Sequence, residues 1–329
     1  MSDSRRTPDD TSALDEAPVL VHVTRGGLVE SAHHGRIAAL AADGAPALTR
    51  GDVEAPVYPR STLKPVQALA MVRHGLDLAP HHLATVCASH SGEPRHLKAV
   101  TEILAGARLS VDDLRTTPSL PLGELPQAHW LVEGRRPEPI GHDCSGKHAG
   151  MLATCVVNGW STEDYLDPEH PLQQAILAEV TSLVGPVGPI SVDGCGAPLP
   201  AVPLVGMARA FAAIASAAAG TPERRVADAM RTHPEHVGGE GREVTDLMRR
   251  TPGLIAKDGA EATFVAAADD GRAVAVKISD GAPFARARTA VLATGLLRLG
   301  VHSEGTREHA TSPVLGHGRP VGEVAVVGF

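Results

Sequence analysis

Strand-like segments of this chain stand near its two ends, and helix-like segments fill the middle. Val19–Thr24 and Arg36–Ala42 read as strands, joined by the polar segment Gly26–Gly35. At the other end Ala262–Ala268 and Ala273–Ser279 flank Asp269-Asp270-Gly271 as a hairpin, and Gly322–Phe329 reads as a last strand. Between them the apolar spacing predicts helices at Leu63–His74, Pro80–Cys87, Pro94–Ala107, Pro171–Val184, Leu204–Ala218, Glu223–Thr232 and Arg242–Arg250. A further helix runs to Asn158, a short strand covers Ile190–Val192, and Pro283–Leu299 reads as a long amphipathic helix. Thr116–Gly141, rich in Pro and Gly, reads as a long loop of the kind that usually carries function. A doubly wound fold would alternate strand and helix. This order predicts an α+β fold: an antiparallel sheet built from both chain ends, with a helical region packed beside it. No repeat or linker divides 18–329, so a single domain is expected after a disordered tail over 1–17.

Composition removes several function classes. Aromatic residues make up 2% of the chain, too few for a base-stacking surface, and the net charge of −8 disfavours neutralising a phosphate backbone. No nucleic-acid partner is expected. No apolar run reaches the roughly 18 residues of a membrane span, and the polar, acidic start lacks the apolar core of a signal peptide. A cytoplasmic protein is expected. The four cysteines fit that compartment as thiols. Cys87 and Cys155 lie in apolar helical contexts and read as small buried hydrophobes, whereas Cys144 and Cys195 sit among glycines and acids.

Lysine usage is informative. The chain has 30 Lys and Arg together, of which only Lys64, Lys98, Lys147, Lys257 and Lys277 are lysines. Where a plain positive charge serves, this chain uses arginine, so a retained lysine suggests a compact amine that can lose its proton. Lys98 falls on a solvated helix face and Lys277 in a strand. Lys64, Lys147 and Lys257 fall in loop contexts bearing glycine, serine or cysteine.

Three stretches concentrate chemistry. His142-Asp143-Cys144-Ser145-Gly146-Lys147-His148 packs acid, thiol, hydroxyl, amine and two imidazoles at the mouth of an apolar helix, where free N–H groups favour a thiolate or oxyanion. Asp193-Gly194-Cys195-Gly196 offers a second acid–thiol pair, read as the opposite wall of the same site. Cys144, Lys147, His148 and Cys195 together suit zinc, although lysine is a rare ligand. Ser61-Thr62-Leu63-Lys64 places hydroxyl and amine one helical turn apart. There a neutral Lys64 would take the proton of Ser61 for attack on a carbonyl, which requires a lysine pKa well below about 10.4. Ser89-His90-Ser91-Gly92-Glu93 adds two hydroxyls, either of which suits proton relay or substrate contact. Gly141-x-x-x-x-Gly146-Lys147 matches most of a phosphate-binding loop, but His148 stands where Ser or Thr belongs and no apolar strand precedes it. That reading is set aside.

Taken in order, Arg60–Lys64, Cys87–Glu93, His142–Met151, Asp193–Pro198 and Lys257-Asp258-Gly259 resemble the rhizobial-type L-asparaginases, the asparaginase II family. Val23–Ser31 and the Gly238–Arg242 loop match as well, so the resemblance spans nearly the whole chain. It implies a fold like that of serine β-lactamases and glutaminases, and hydrolysis of L-asparagine to L-aspartate and ammonia by a homodimer. By the same resemblance Ser61 is the nucleophile, Lys64 its base, Ser89 the second active-site serine (with Ser91 the alternative) and Lys257 closes the site. Cys144, Lys147 and Cys195 would hold one zinc ion, while Arg60, His90, Asp193 and His148 would meet the substrate. One departure is Val244, at a position where some relatives carry cysteine. The competing readings are a related hydrolase acting on another amide and a non-catalytic amino-acid- or metal-binding protein.

Overall fold

A computed structural model describes residues 11, 14, 16–282 and 286–329. Three strands precede the helical region: β1 (Val19–Arg25), β2 (Leu28–Leu40) and β3 (Pro46–Arg50). Short β4 (Pro56–Val57) opens that region, and β5 (Ile190–Val192), β6 (Pro198–Pro200) and β7 (Val202–Pro203) interrupt it. Then come β8 (Ile255–Gly259), β9 (Thr263–Ala267), β10 (Ala273–Ile278), β11 (Thr311–Gly316) and β12 (Arg319–Val326). The main sheet runs β11-β12-β1-β2-β10-β9-β8, with β3 also on β2, and every pairing in it is antiparallel. Val21 lies opposite Val326, and Ile37 opposite Val276. The α+β architecture with a sheet drawn from both chain ends is therefore present.

Strands β8 to β10 are buried along almost their whole length, because helices Leu204–Ala215 and Arg288–Arg298 pack against β9 and β10. The sequences of β9 and β10 accordingly lose the in–out alternation of a half-exposed strand and are rich in Ala and Val. The helical region is held by close backbone approach. Helix Ser145–Asn158 presents Gly146 and Gly150 to helix Pro80–Val86, where a Cβ on Gly146 would stand 2.3 Å from the Thr85 carbonyl oxygen. Only glycine admits that contact. No described helix is long and apolar enough to cross a membrane.

Several elements differ from expectation. Strand β2 begins at Leu28, so most of the expected polar connection is strand; its first half is exposed on both faces and carries no apolar period. Strand β11 is an exposed edge strand containing Pro313, without a strand-like pattern. Inside the expected loop 116–141 stands helix Glu124–Val132, in which Trp130 alone is buried. The helix expected at Pro283–Leu299 spans Arg288–Arg298, and 283–285 of its expected start lie outside the described residues, as does most of the tail over 1–17. The lysines expected in loops are placed otherwise. Lys64 is the first residue of helix Lys64–Arg73, Lys147 lies in the first turn of helix Ser145–Asn158, and Lys257 is in mid-strand in β8.

Candidate active site

Burial of the apolar face Val66–Met71 fixes helix Lys64–Arg73 in the core and draws Lys64 in with it, to 1% exposure. Just before it, Arg60–Leu63 forms a tight helical turn, closed by Thr62 Oγ1 donating to Pro59 O at 2.6 Å. Arg60 takes φ +52°, a left-handed conformation that a side chain rarely adopts, and so turns towards a cavity of about 930 Å³. Ser61, Ser89, Asp143, Cys144, Asp193 and Cys195 line that cavity with it.

Lys64 Nζ donates to Ala88 O at 2.6 Å and Ser89 Oγ at 3.0 Å, and lies 3.5 Å from Asp143 Oδ2. None of these partners is Ser61. Burial disfavours its charge, but Cys144 and the Asp143 carboxylate outweigh this and hold the Lys64 pKa above the ordinary lysine value. Asp143, against its own burial, is held well below the usual carboxylate range by Lys64 and by a hydrogen bond from His142.

Ser89 belongs to the turn joining helices Pro80–Val86 and Pro94–Gly106. That turn is bonded to residues 237–238 through Ser89 N to Val237 O and Ser91 N to Gly238 O. The Ser91 hydroxyl donates to Gly238 O at 3.0 Å, whereas Ser89 Oγ meets both Lys64 Nζ and, at 2.9 Å, Lys257 Nζ. The two serines left open by the sequence are thus in different surroundings.

Lys257 is fully buried, and burial pushes its pKa down to about 8 despite Asp258 beside it. Its amine donates to Asp258 O at 2.6 Å and Asp258 Oδ1 at 2.8 Å. The second Asp258 oxygen accepts from Arg242 at 2.5 Å and Arg288 at 3.4 Å. Burial would raise the Asp258 pKa, but Lys257, Arg242 and Arg288 hold it well below the carboxylate range. Arg242 also reaches Ser89 O at 3.3 Å. Asp143, Asp258, Arg242 and Arg288 did not emerge as site residues from the sequence. The one available signal was that Asp143, Arg242 and Asp258 lie inside motif blocks.

On the opposite wall, β5, β6 and the turn Asp193–Gly196 carry Asp193 and Cys195. Asp193 Oδ1 accepts from Arg60 Nε at 2.8 Å and from Gly194 N at 2.9 Å. Arg60 and Asp193 face the cavity together. His90 and His148 do not line it. His90 is fully buried with Nε2 2.9 Å from Ser145 Oγ, and His148 bonds Tyr165 Oη at 2.8 Å through Nδ1. Burial lowers His148 to about 4, so its ring is neutral.

Cys144, Lys147 and Cys195 are all buried, at 3%, 2% and 1% exposure, and Lys147 Nζ lies 3.2 Å from Cys195 Sγ. A hydrogen bond from Cys144, with the Lys147 ammonium behind it, holds Cys195 far below the ordinary thiol pKa in spite of burial. That bond and burial push Cys144 up. His148 sits against Cys195 with its Nε2 buried and unbonded. Two sulfurs and an amine are thus brought together at this wall, donor types that zinc accepts once deprotonated.

No curated protein sequence matches the chain. Among solved structures, a β-lactamase from Mycobacterium bovis is similar at TM-score 0.41 and 14% identity, covering 82% of this chain and 89% of that one. A hydrolase with promiscuous acyltransferase activity is similar at TM-score 0.38 and 14% identity, covering 91% and 95%. The family model described as L-asparaginase II matches residues 21–326, from β1 to the end of β12. By that match, which takes in every wall of the cavity, the chain belongs to the L-asparaginase II family.

Proposed function

We propose that this protein hydrolyses L-asparagine to L-aspartate and ammonia through an acyl-enzyme on Ser61. The observation that carries the reading is the unbroken contact from Lys64 Nζ through Ser89 Oγ to Lys257 Nζ, at 3.0 and 2.9 Å, beside the cavity that Ser61 lines. Lys64 is protonated at rest and cannot accept a proton as it stands. Lys257, with its pKa near 8, is the member of the row that is readily neutral. Ser89 passes its proton to Lys257 and takes one from Lys64, and the neutral Lys64 then accepts the proton of Ser61. Ser61 Oγ bonds to the side-chain carbonyl carbon of asparagine, the C–N bond breaks, and the nitrogen leaves as ammonia with a proton returned by the same row. Water attacks the resulting ester as the row takes its proton, the Ser61 Oγ–carbon bond breaks, the row returns that proton to Ser61 Oγ, and aspartate departs.

Arg60 and Asp193 orient the zwitterionic end of the substrate, the carboxylate of Asp193 towards its ammonium and the guanidinium of Arg60 towards its carboxylate. Cys144, Lys147 and Cys195 would hold a zinc ion. When bound, the ion supplies a fixed positive charge at the wall opposite Ser61. By family resemblance the enzyme works as a cytoplasmic homodimer, which light scattering of the purified protein tests. The decisive measurement is ammonia release from L-asparagine by the wild type and Ser61→Ala. Loss of well over tenfold is expected. Retention of more than about a tenth of the activity, a loss below about 1.4 kcal/mol, would move the nucleophile elsewhere. Binding of asparagine in a calorimeter without turnover would favour a non-catalytic role.

A further inference from the structure

The turn that carries Ser89 is flanked by two helices, and the outer faces of those helices bring metal-ligating side chains together well away from the cavity. His81 and His82 lie on helix Pro80–Val86, and Glu102 lies on helix Pro94–Gly106. One donor atom from each of the three falls within 4.8 Å of the other two. His82 Nε2 already stands 3.0 Å from Glu102 Oε2, and the His81 and His82 rings are 4.1 Å apart between centroids. None of the three lines the cavity or touches the thiols.

We propose that His81, His82 and Glu102 form a second metal site, for a divalent transition ion of the zinc class, which clips together the two helices flanking Ser89. Two imidazoles and a carboxylate make a set that such ions accept, with the fourth position open to water. A tetrahedral ion with bonds of about 2.1 Å needs donors about 3.4 Å apart, so side-chain rotation over about an ångström closes the set. The charges nearby permit it. Burial, with His82 and His233 beside it, holds the His81 pKa below the ordinary imidazole value. Lys98, the closest cation, lies 3.8 Å from the other Glu102 oxygen on a side chain 75% exposed, free to swing away. His233 stands behind His81 at 5.8 Å between ring centroids and adds no charge when neutral.

The location gives the ion a consequence. The helices are joined only by residues 87–93, and Ser89 in that turn must hold its hydroxyl between two amines. A metal bridge across the open end of this helix pair closes a short loop around the turn and restricts its excursions.

The test is a cobalt(II) titration of the full-length protein followed by absorption spectroscopy and by thermal unfolding. Ions on Cys144 and Cys195 give a sulfur-to-cobalt charge-transfer band, and ions on the histidine set do not. The expected result is one bound ion per chain that adds no sulfur band and raises Tm. His82→Ala and Glu102→Gln should each weaken that ion by more than about tenfold and abolish its Tm shift. Glu102 is exposed, and the His82 side chain is partly buried at 17% exposure, so Glu102→Gln is the variant that least disturbs the fold. An unchanged count of non-thiolate ions in these variants, or no such ion in the wild type, overturns the proposal. The sulfur band is scored separately, so failure of the thiolate zinc site leaves this outcome readable, and the reverse also holds.

Discussion

Lys257 Nζ touches Ser89 Oγ at 2.9 Å while held by both the backbone and the carboxylate of Asp258. The amine that reaches the Ser89 hydroxyl is thus positioned by its own chain neighbour. That neighbour is in turn gripped by Arg242 and Arg288.

The first prediction concerns pH. With Lys257 at about 8, kcat/KM for asparagine should rise with pH and level off above that value, as the amine loses its proton. The Asp258 carboxylate raises the Lys257 pKa, so Asp258→Asn should move the rise to lower pH, by about one unit or more. A rate profile of both proteins from pH 6 upward checks it; a rise that stays in place reduces Asp258 to a structural anchor.

Asp258 also governs acid stability. Its folded-state pKa lies below the unfolded value of about 3.9, so its contribution is present above that pH and is lost as pH falls through and below it. At pH 7 the same Asp258→Asn change should cost about 3–5 kcal/mol, because Arg242 and Arg288 lose the buried charge they share. Urea unfolding at pH 7 and pH 3 measures both, and the gap between wild type and variant should narrow at the lower pH.

Much of this fold was readable because strands and helices were segregated along the chain. β8 was not. Leu254-Ile255-Ala256 followed by Lys257-Asp258-Gly259 reads as a short apolar start and a turn, whereas burial on all sides makes the whole segment strand. The motif blocks marked the walls of the cavity, and Ser61, Ser89, Cys144 and Cys195 do line it together. Partner choice was less legible. A spacing of three paired Lys64 with Ser61; the hydrogen bonds of Lys64 to Ala88 O and Ser89 Oγ come from the 88–89 turn, which the tertiary fold sets against helix Lys64–Arg73, and no spacing reveals them. Asp258 is one of 38 acidic residues, and its arginine partners are 16 and 30 positions away, beyond any local pattern.

Lys147→Arg should lower the zinc content of the purified protein. Lys147 is 2% exposed with its amine 3.2 Å from Cys195 Sγ, and a guanidinium neither fits that space nor offers a lone pair. Elemental analysis after dialysis against buffer decides the matter, and full occupancy in the variant would make Lys147 a counter-charge to the thiolate and nothing more.

The approach of helix Ser145–Asn158 to helix Pro80–Val86 gives a stability prediction. Gly146→Ala would push a methyl to 2.3 Å from Thr85 O, which is backbone and cannot rotate away, so a loss of about 1–3 kcal/mol or more is expected. Gly106→Ala, where nothing lies within 4 Å of the added carbon, should be neutral or slightly stabilising. Denaturant midpoints of the two variants make the comparison.

The pairing of Val21 with Val326 sets a timetable for biosynthesis. When β1 leaves the ribosome it can fold back on β2, but its other edge waits for β12, about 300 residues later. At about 5–20 residues per second that wait lasts on the order of 15–60 s, and β2 waits almost as long for β10. Through that interval the nascent chain carries an open, apolar strand edge, the kind of surface that recruits wrong partners. The helical middle, whose contacts are nearer in sequence, can form meanwhile. The sheet is thus complete only once β12 has been made, and a chain that stops short of β12 has its sheet open along β1.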